Sequence, residues 1–314
     1  MPTPPPAATA EVRSIALTVS DLDDAERFFT GALGFQREGT PAALSGAQLP
    51  GAGGVSARRS RLRAGNERID LAQYGGAAGR ANPADSRSDD GWFQHLALVT
   101  RDIDALEAQV LRSGASAISR GTQTIPASNA AAGGIRAFYF RGPAAHPLEL
   151  IWYPVGRGSP RWQVGAGPLL GIDHTAIAVA DSERSRAFYV DVLGLRVAGR
   201  SFNFGAEQAA LSGVDGARVR ITGLRGRTGP GVELLEYEAP RAGRPMPADT
   251  RPNDAWYAEI TVAVPDLDAT LAKLRAARAT FLSDHIYDTS ELVPGTRRGV
   301  LVRDPDGHAV RLVQ

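Results

Sequence analysis

The chain has 314 residues and carries 35 Lys and Arg against 34 Asp and Glu, a formal net charge of +1. That balance excludes bulk electrostatic attraction to nucleic acid or anionic membranes, and no apolar run approaches the ~20 residues of a bilayer span. Cysteine is absent, which excludes disulfides and thiolate chemistry and leaves any metal to His, Asp, Glu and water.

Taken in chain order, Met1–Ala10 is Pro- and Ala-rich, with no basic stretch and no long apolar core. It is expected to be a disordered tail on a cytoplasmic protein, not a secretion signal. Four times thereafter a short apolar strand runs into an Asp: Asp21, Asp102, Asp181 and Asp266. Asp is a favoured N-cap because its carboxylate accepts the free N–H groups of a first helical turn. The pattern predicts helices over 22–33, 103–113, 182–193 and 267–277. In the last, Leu267, Leu271 and Leu274 fall on one face. Each helix precedes a Gly-punctuated region of strand-like runs, such as Leu148–Trp152 and Val232–Tyr237. The fold class is therefore α+β, with a β-α-β-β-β module written four times over 11–80, 92–155, 169–238 and 255–314. A Gly- and Pro-rich linker, 156–168, separates an N-terminal domain, 11–155, from a C-terminal one, 169–314.

The halves resemble each other in words as well as pattern. Ala84-Asp85-Ser86-Arg87-Ser88-Asp89-Asp90-Gly91-Trp92-Phe93 matches Ala248-Asp249-Thr250-Arg251-Pro252-Asn253-Asp254-Ala255-Trp256-Tyr257 at an offset of 164. Seven residues before each capping Asp stand Ser14, His95, His174 and Glu259. The final strands carry Asp70, Glu149, Glu233 and, exceptionally, Arg311 between apolar neighbours. The two positions lie 56, 54, 59 and 52 residues apart, which points to one structural slot used four times. Because a strand alternates its faces, each acid points away from the neighbours that pack under the helix, onto a face that a ligand would line.

Four such modules, with a strand-start His and a strand-end Glu, resemble the vicinal oxygen chelate superfamily, which includes glyoxalase I, extradiol dioxygenases and bleomycin-resistance proteins. The resemblance is carried by Ile172-Asp173-His174-Thr175-Ala176-Ile177-Ala178-Val179, by Phe188-Tyr189 with Leu193-Gly194-Leu195, and by Asp304-Pro305-Asp306-Gly307-His308. It implies two half-barrel, cup-shaped sheets with helices outside. Each cup closes from two modules and can hold a divalent metal. Pairing within each half would give Ser14/Asp70/His95/Glu149 and His174/Glu233/Glu259/Arg311, both incomplete. Crossed pairing gives one complete set, His95, Glu149, His174 and Glu233, and one decayed set, Ser14, Asp70, Glu259 and Arg311, with an expected Arg311–carboxylate pair. The crossed arrangement is favoured.

The resemblance then implies one divalent ion (Zn, Ni, Co, Mn or Fe(II)) and a lyase or isomerase of glyoxalase I type. The substrate would be a small molecule with neighbouring oxygens, processed through a metal-bound enediolate, with Glu149 or its counterpart Glu233 moving the proton. The alternatives are an extradiol-type dioxygenase and a ligand-sequestering protein without metal chemistry. No nucleic acid or membrane partner is expected, and the chain is read as a monomer or homodimer. His146 and His308 are expected to be exposed turn residues, and His285 a surface or cup-mouth residue. Trp92 and Trp256 read as packing, Arg58–Arg63 as the solvated face of a strand, and Arg225-Gly226-Arg227 as a hairpin turn.

Overall fold

The computed structural model describes residues 8–314. The tail expectation for residues 1–7 lies outside the described residues. Its last part is corrected: Ala10 is fully buried, and the Thr9 and Ala10 N–H groups both donate to Gly194 O.

The four Asp residues cap helices as their chemistry dictates. Asp21 accepts from Asp24 N at 2.9 Å, Asp102 from Ala105 N at 3.0 Å, Asp181 from Glu183 N and Arg184 N, and Asp266 from Ala269 N at 2.9 Å. The helices begin at Leu22, Ile103, Ser182 and Leu267; the first and third continue as π-helical turns, Phe28–Ala32 and Ala187–Val192. A fifth helix, Ala206–Ser212, was not expected. It buries Leu211 against the inner face of the neighbouring sheet.

The strands form two curved sheets, one of eight strands and one of nine. Each takes one module from each half of the sequence. In the first sheet the strand Glu11–Thr18 runs antiparallel to Ala258–Ala263, with Ala16 opposite Glu259. In the second, Gln94–Thr100 runs antiparallel to Leu169–Ala178, with Ala176 opposite His95. Within a module the first strand lies parallel to the last, so Glu149 sits beside Ala97 and Glu233 beside Ala176. Parallel pairing needs a crossover, and the Asp-capped helix supplies it on the convex side.

Strand alternation then divides the apolar residues. Leu96, Leu98, Leu148, Leu150, Ile177 and Leu234 pack with Ile103, Leu106 and Val110 of the second helix in the main core. Their alternates Phe93, Ala137, Tyr139, Ala176, Ala178 and Leu235 form a separate cluster within the second cup.

Two readings from sequence are overturned. His146 and His308 are buried, at 4% and 2% exposure, because each turn is folded under a strand of the opposite sheet. His146 Nε2–H donates to Thr18 O, and His308 Nε2–H to Ala178 O at 2.9 Å. Arg59 and Arg61 belong to no solvated face: their side chains are 13% exposed and turn into the first cup toward Asp70. His285 is exposed. Residues 160–163 of the linker form a short 3-10 helix whose Trp162 is buried. Among the described residues, no helix is long and apolar enough to cross a membrane.

Candidate metal centre

The second cup brings the four slot residues of its two modules together. His95 and His174 come from the central antiparallel strands, Glu149 and Glu233 from the strands parallel to them. His95 Nε2 lies 3.1 Å from Glu149 Oε2. His174 Nε2 lies 3.4 Å from that same oxygen and 3.4 Å from Glu233 Oε2. The His95, Glu149 and His174 donor atoms all fall within 4.8 Å of one another. The four are not equivalent. The Glu149 side chain is 6% exposed and wedged between the imidazoles, whereas that of Glu233 is 26% exposed. Opposite Glu233 stands Gly223, where a Cβ would come within 3.6 Å of Glu233 Oε1.

A local irregularity sets the orientation of His174. Ile172 pairs with Leu98 and His174 with Ala97, so Asp173 is an extra residue in the ladder. Such a bulge lets adjacent side chains leave strict alternation. Asp173 therefore reaches the ring of its own neighbour, accepting from His174 Nδ1–H at 2.9 Å. It also accepts from Trp162 Nε1 at 3.1 Å and Arg225 Nη2 at 2.6 Å. His95 has no such support. Gln94, which precedes it, donates instead to Thr175 Oγ1, and neither ring nitrogen of His95 makes a hydrogen bond.

Electrostatics follow from the crowding of acids. Burial works against charge on every group here. The two imidazoles nevertheless outweigh it at Glu149, whose carboxyl is drawn down to about 2. Glu233, Asp173 and Glu149 likewise overcome burial at His174, which is pushed up to about 10. Three carboxylates face one guanidinium, Arg225, and two imidazoles.

This arrangement fits a divalent ion on two counts. With both imidazoles neutral, the form in which they can ligate, the three carboxylates and Arg225 leave two negative charges without a fixed counter-charge, which in a buried site calls for a cation. His95 Nε2 is also buried without a hydrogen bond, although 3.1 Å from Glu149 Oε2, a cost that ligation at that nitrogen removes. The N/O donor set suits Zn, Ni, Co, Mn or Fe(II). A groove of about 830 Å³ lies behind His174, walled by Asp173 and Arg225 together with Tyr153, Arg161 and Arg196; none of the four donor residues lines it.

The first cup assembles the other four slots differently. Arg311 Nε donates to Glu259 Oε2 at 2.9 Å, Arg61 Nε to Asp70 Oδ1 at 2.9 Å, and Ser14 Oγ to Asp70 Oδ2 at 3.2 Å. Among the described residues, His95, Glu149 and His174 form the one cluster of potential metal donors.

The sequence reading missed Asp173, Trp162 and Arg225 as members of the site. The Asp–His word was visible, but only the bulge makes adjacent residues meet. The linker gave no sign that its Trp would return to the strand.

Comparison with known proteins fits this architecture. The model of the Glyoxalase/Bleomycin resistance protein/Dioxygenase superfamily matches residues 12–150 and 171–312. A search of curated proteins found no match. Among solved structures, glyoxalase I from Zea mays is 16% identical with a TM-score of 0.62, over 97% of this chain and 92% of that one. A provisionally assigned dioxygenase from Bacillus subtilis is 13% identical with a TM-score of 0.58, over 98% of this chain and 86% of that one. At such identities the likeness is one of fold.

Proposed function

This chain belongs to the Glyoxalase/Bleomycin resistance protein/Dioxygenase superfamily, and from that premise we propose a divalent-metal-dependent lyase or isomerase of glyoxalase type. Its substrate would be a small molecule with oxygens on neighbouring carbons. The observation that carries this reading is the buried His95–Glu149–His174 cluster with Glu233 at its rim. His95, Glu149 and His174 would hold the ion, with Glu233 completing the set. When bound, the ion would supply Lewis-acid polarisation of the substrate oxygens.

The protein's own residues divide the remaining work. Glu149, wedged between two imidazoles and almost inaccessible, is fixed. Glu233 is the more exposed carboxylate and faces the side-chain-free Gly223, so it has room to turn toward a substrate. We assign it the proton transfer at the carbon next to the carbonyl, a general-base role worth typically ~10²–10⁴-fold. Tyr139, whose ring centroid is 4.7 Å from that of His95, is kept protonated by burial and by the charge of Glu149, and closes the wall behind His95.

The test is a paired substitution. Glu233→Gln should retain the metal and lose roughly 10²–10⁴ in kcat, while Glu149→Gln should lose the metal itself. A Glu233→Gln protein with unchanged kcat would overturn the assignment, and a wild-type protein that takes up no divalent metal would overturn the reading.

One observation favours a second reading. The tight cluster is two His and one carboxylate, with Glu233 set apart, and that triad with open positions is the donor set of non-haem Fe(II) oxygenases. Oxygen uptake by the Fe(II)-loaded protein on addition of catechols would establish that alternative.

A further inference from the structure

We infer that Asp173 is a positioning residue for the metal centre: held by Trp162 of the linker and by Arg225, it fixes His174 with its proton on Nδ1 and its Nε2 turned to the ligand cluster. The inference rests on the metal reading above and extends it to residues outside the ligand set.

Geometry carries it. Asp173 is the bulged residue of its strand, and it is buried at 4% exposure. Both of its carboxylate oxygens are used: Oδ1 by Trp162 Nε1, Oδ2 by His174 Nδ1 and Arg225 Nη2. Three donors from three separate segments converge on one carboxylate, so its direction is over-determined. A carboxylate that accepts the outer N–H of a ligating imidazole fixes the tautomer and ring plane and makes the inner nitrogen a better donor. Loss of such a partner typically costs 10–100-fold in metal affinity.

The support extends beyond the cup. Arg161 stacks on Trp162, its guanidinium carbon 3.9 Å from the ring centroid, and donates to Glu67 Oε1 at 2.6 Å. Glu67 lies in the first sheet, and its Oε2 accepts from Ile172 N at 3.1 Å, one residue before Asp173. The segment joining the two halves is thus part of the frame that aims His174. His95 makes the contrast internal to the protein: same slot, same cup, but with Gln94 before it and no hydrogen bond on Nδ1.

The experiment compares wild type with Asp173→Ala, Asp173→Asn and Trp162→Phe, loaded with Zn(II) for affinity by chelator competition and with Co(II) for visible absorption. Asp173→Ala should bind Zn(II) about 10–100-fold more weakly and shift the Co(II) bands. Asp173→Asn, which keeps an acceptor oxygen, should recover part of the loss, and Trp162→Phe should lose only a few-fold. If Asp173→Ala does not fold, the Asp173→Asn spectrum and affinity decide. Affinity and Co(II) bands equal to wild type in both Asp173 variants would overturn the inference while leaving the metal reading intact. A wild-type protein that binds neither ion would remove the metal reading and this inference with it.

Discussion

The two cups occupy equivalent slots of one architecture and have opposite electrostatic outcomes. In the first, every slot residue meets a fixed partner inside the protein. Glu259 takes Arg311 and Tyr257 Oη, and Asp70 takes Arg61 and Ser14. In the second, the acids meet imidazoles, and His95 meets no hydrogen-bonding partner at all. The first cup has Ser14 and Glu259 where the second has its histidines, and Arg311, with Arg59 and Arg61 turned inward, supplies the positive charge, so its acids close into internal salt bridges. The difference lies in side-chain charge, since the strand registers correspond.

The sharpest way to break the comparison is to count ions. Purified and reconstituted wild-type protein should hold close to one divalent ion per chain, and His95→Ala and His174→Ala close to none, by elemental analysis. Two ions per chain would mean that the first cup binds as well, and the proposed division of labour would be lost.

The next effect is on stability, in the first cup. Removing one member of a buried ion pair leaves the other charge stranded, at a cost of about 3–5 kcal/mol. Arg311 and Glu259 are 7% and 5% exposed in their side chains. Arg311→Ala should therefore lower the unfolding free energy by about 3–5 kcal/mol in urea titration, and pairing Arg311→Met with Glu259→Gln should recover most of it. A loss of less than about 1 kcal/mol, the scale of a surface pair, would show that this cup is not held shut by charge.

How much of this was legible in the sequence follows from the range of each interaction. The Asp caps were readable because a cap is satisfied within three residues of itself. The slots were readable because the apolar-acid-Leu pattern and its spacing recur. Crossed pairing was favoured because it alone assembled a full ligand set, not because any strand announced its neighbour. Burial of His146 was hidden because its partner, Thr18 O, is 128 residues away. The inward turn of Arg59 and Arg61 was hidden because the alternation of arginines with small residues looks the same from either face. Asp173 was hidden because a one-residue bulge leaves no local mark.

A third test uses that misread histidine. Burial, with a smaller contribution from Arg141, draws His146 down from its ordinary 6.5 to about 4, although its bond to Thr18 O works the other way. The folded protein thus disfavours a proton that the unfolded chain accepts at ordinary affinity. The contribution is fully present above pH 6.5 and is lost as pH falls from there toward about 4, with a slope near 1.4 kcal/mol per pH unit. Urea midpoints of wild type and His146→Gln should therefore converge across that window. Parallel curves would mean that the buried imidazole does not report on the contact between the sheets.

The smallest effect concerns what ties the cups together. The two recurring words form a reciprocal clasp. Arg80 donates to Asp254 and Asp249, Arg244 to Asp90 and Asp85, all with contacts of 2.6–3.2 Å. Each guanidinium lies over the tryptophan of the opposite word, 4.9 Å from Trp256 and 4.7 Å from Trp92, and the two indoles meet with centroids 6.2 Å apart. The arginines are about two-fifths exposed, so solvent screens them, and Asp254 and Asp90 keep backbone N–H partners when an arginine is removed. Arg80→Ala and Arg244→Ala should each cost about 1 kcal/mol, with the double variant departing from additivity because the two guanidiniums share the indole pair. Only Arg244 stacks on Trp92, next to Phe93, whose ring lies 5.6 Å from that of His95. If the cups are electrostatically independent, Zn(II) affinity in both single variants should match wild type. A selective loss in Arg244→Ala would instead make the clasp a mechanical support of the metal centre, and the two cups would differ in coupling as well as in charge.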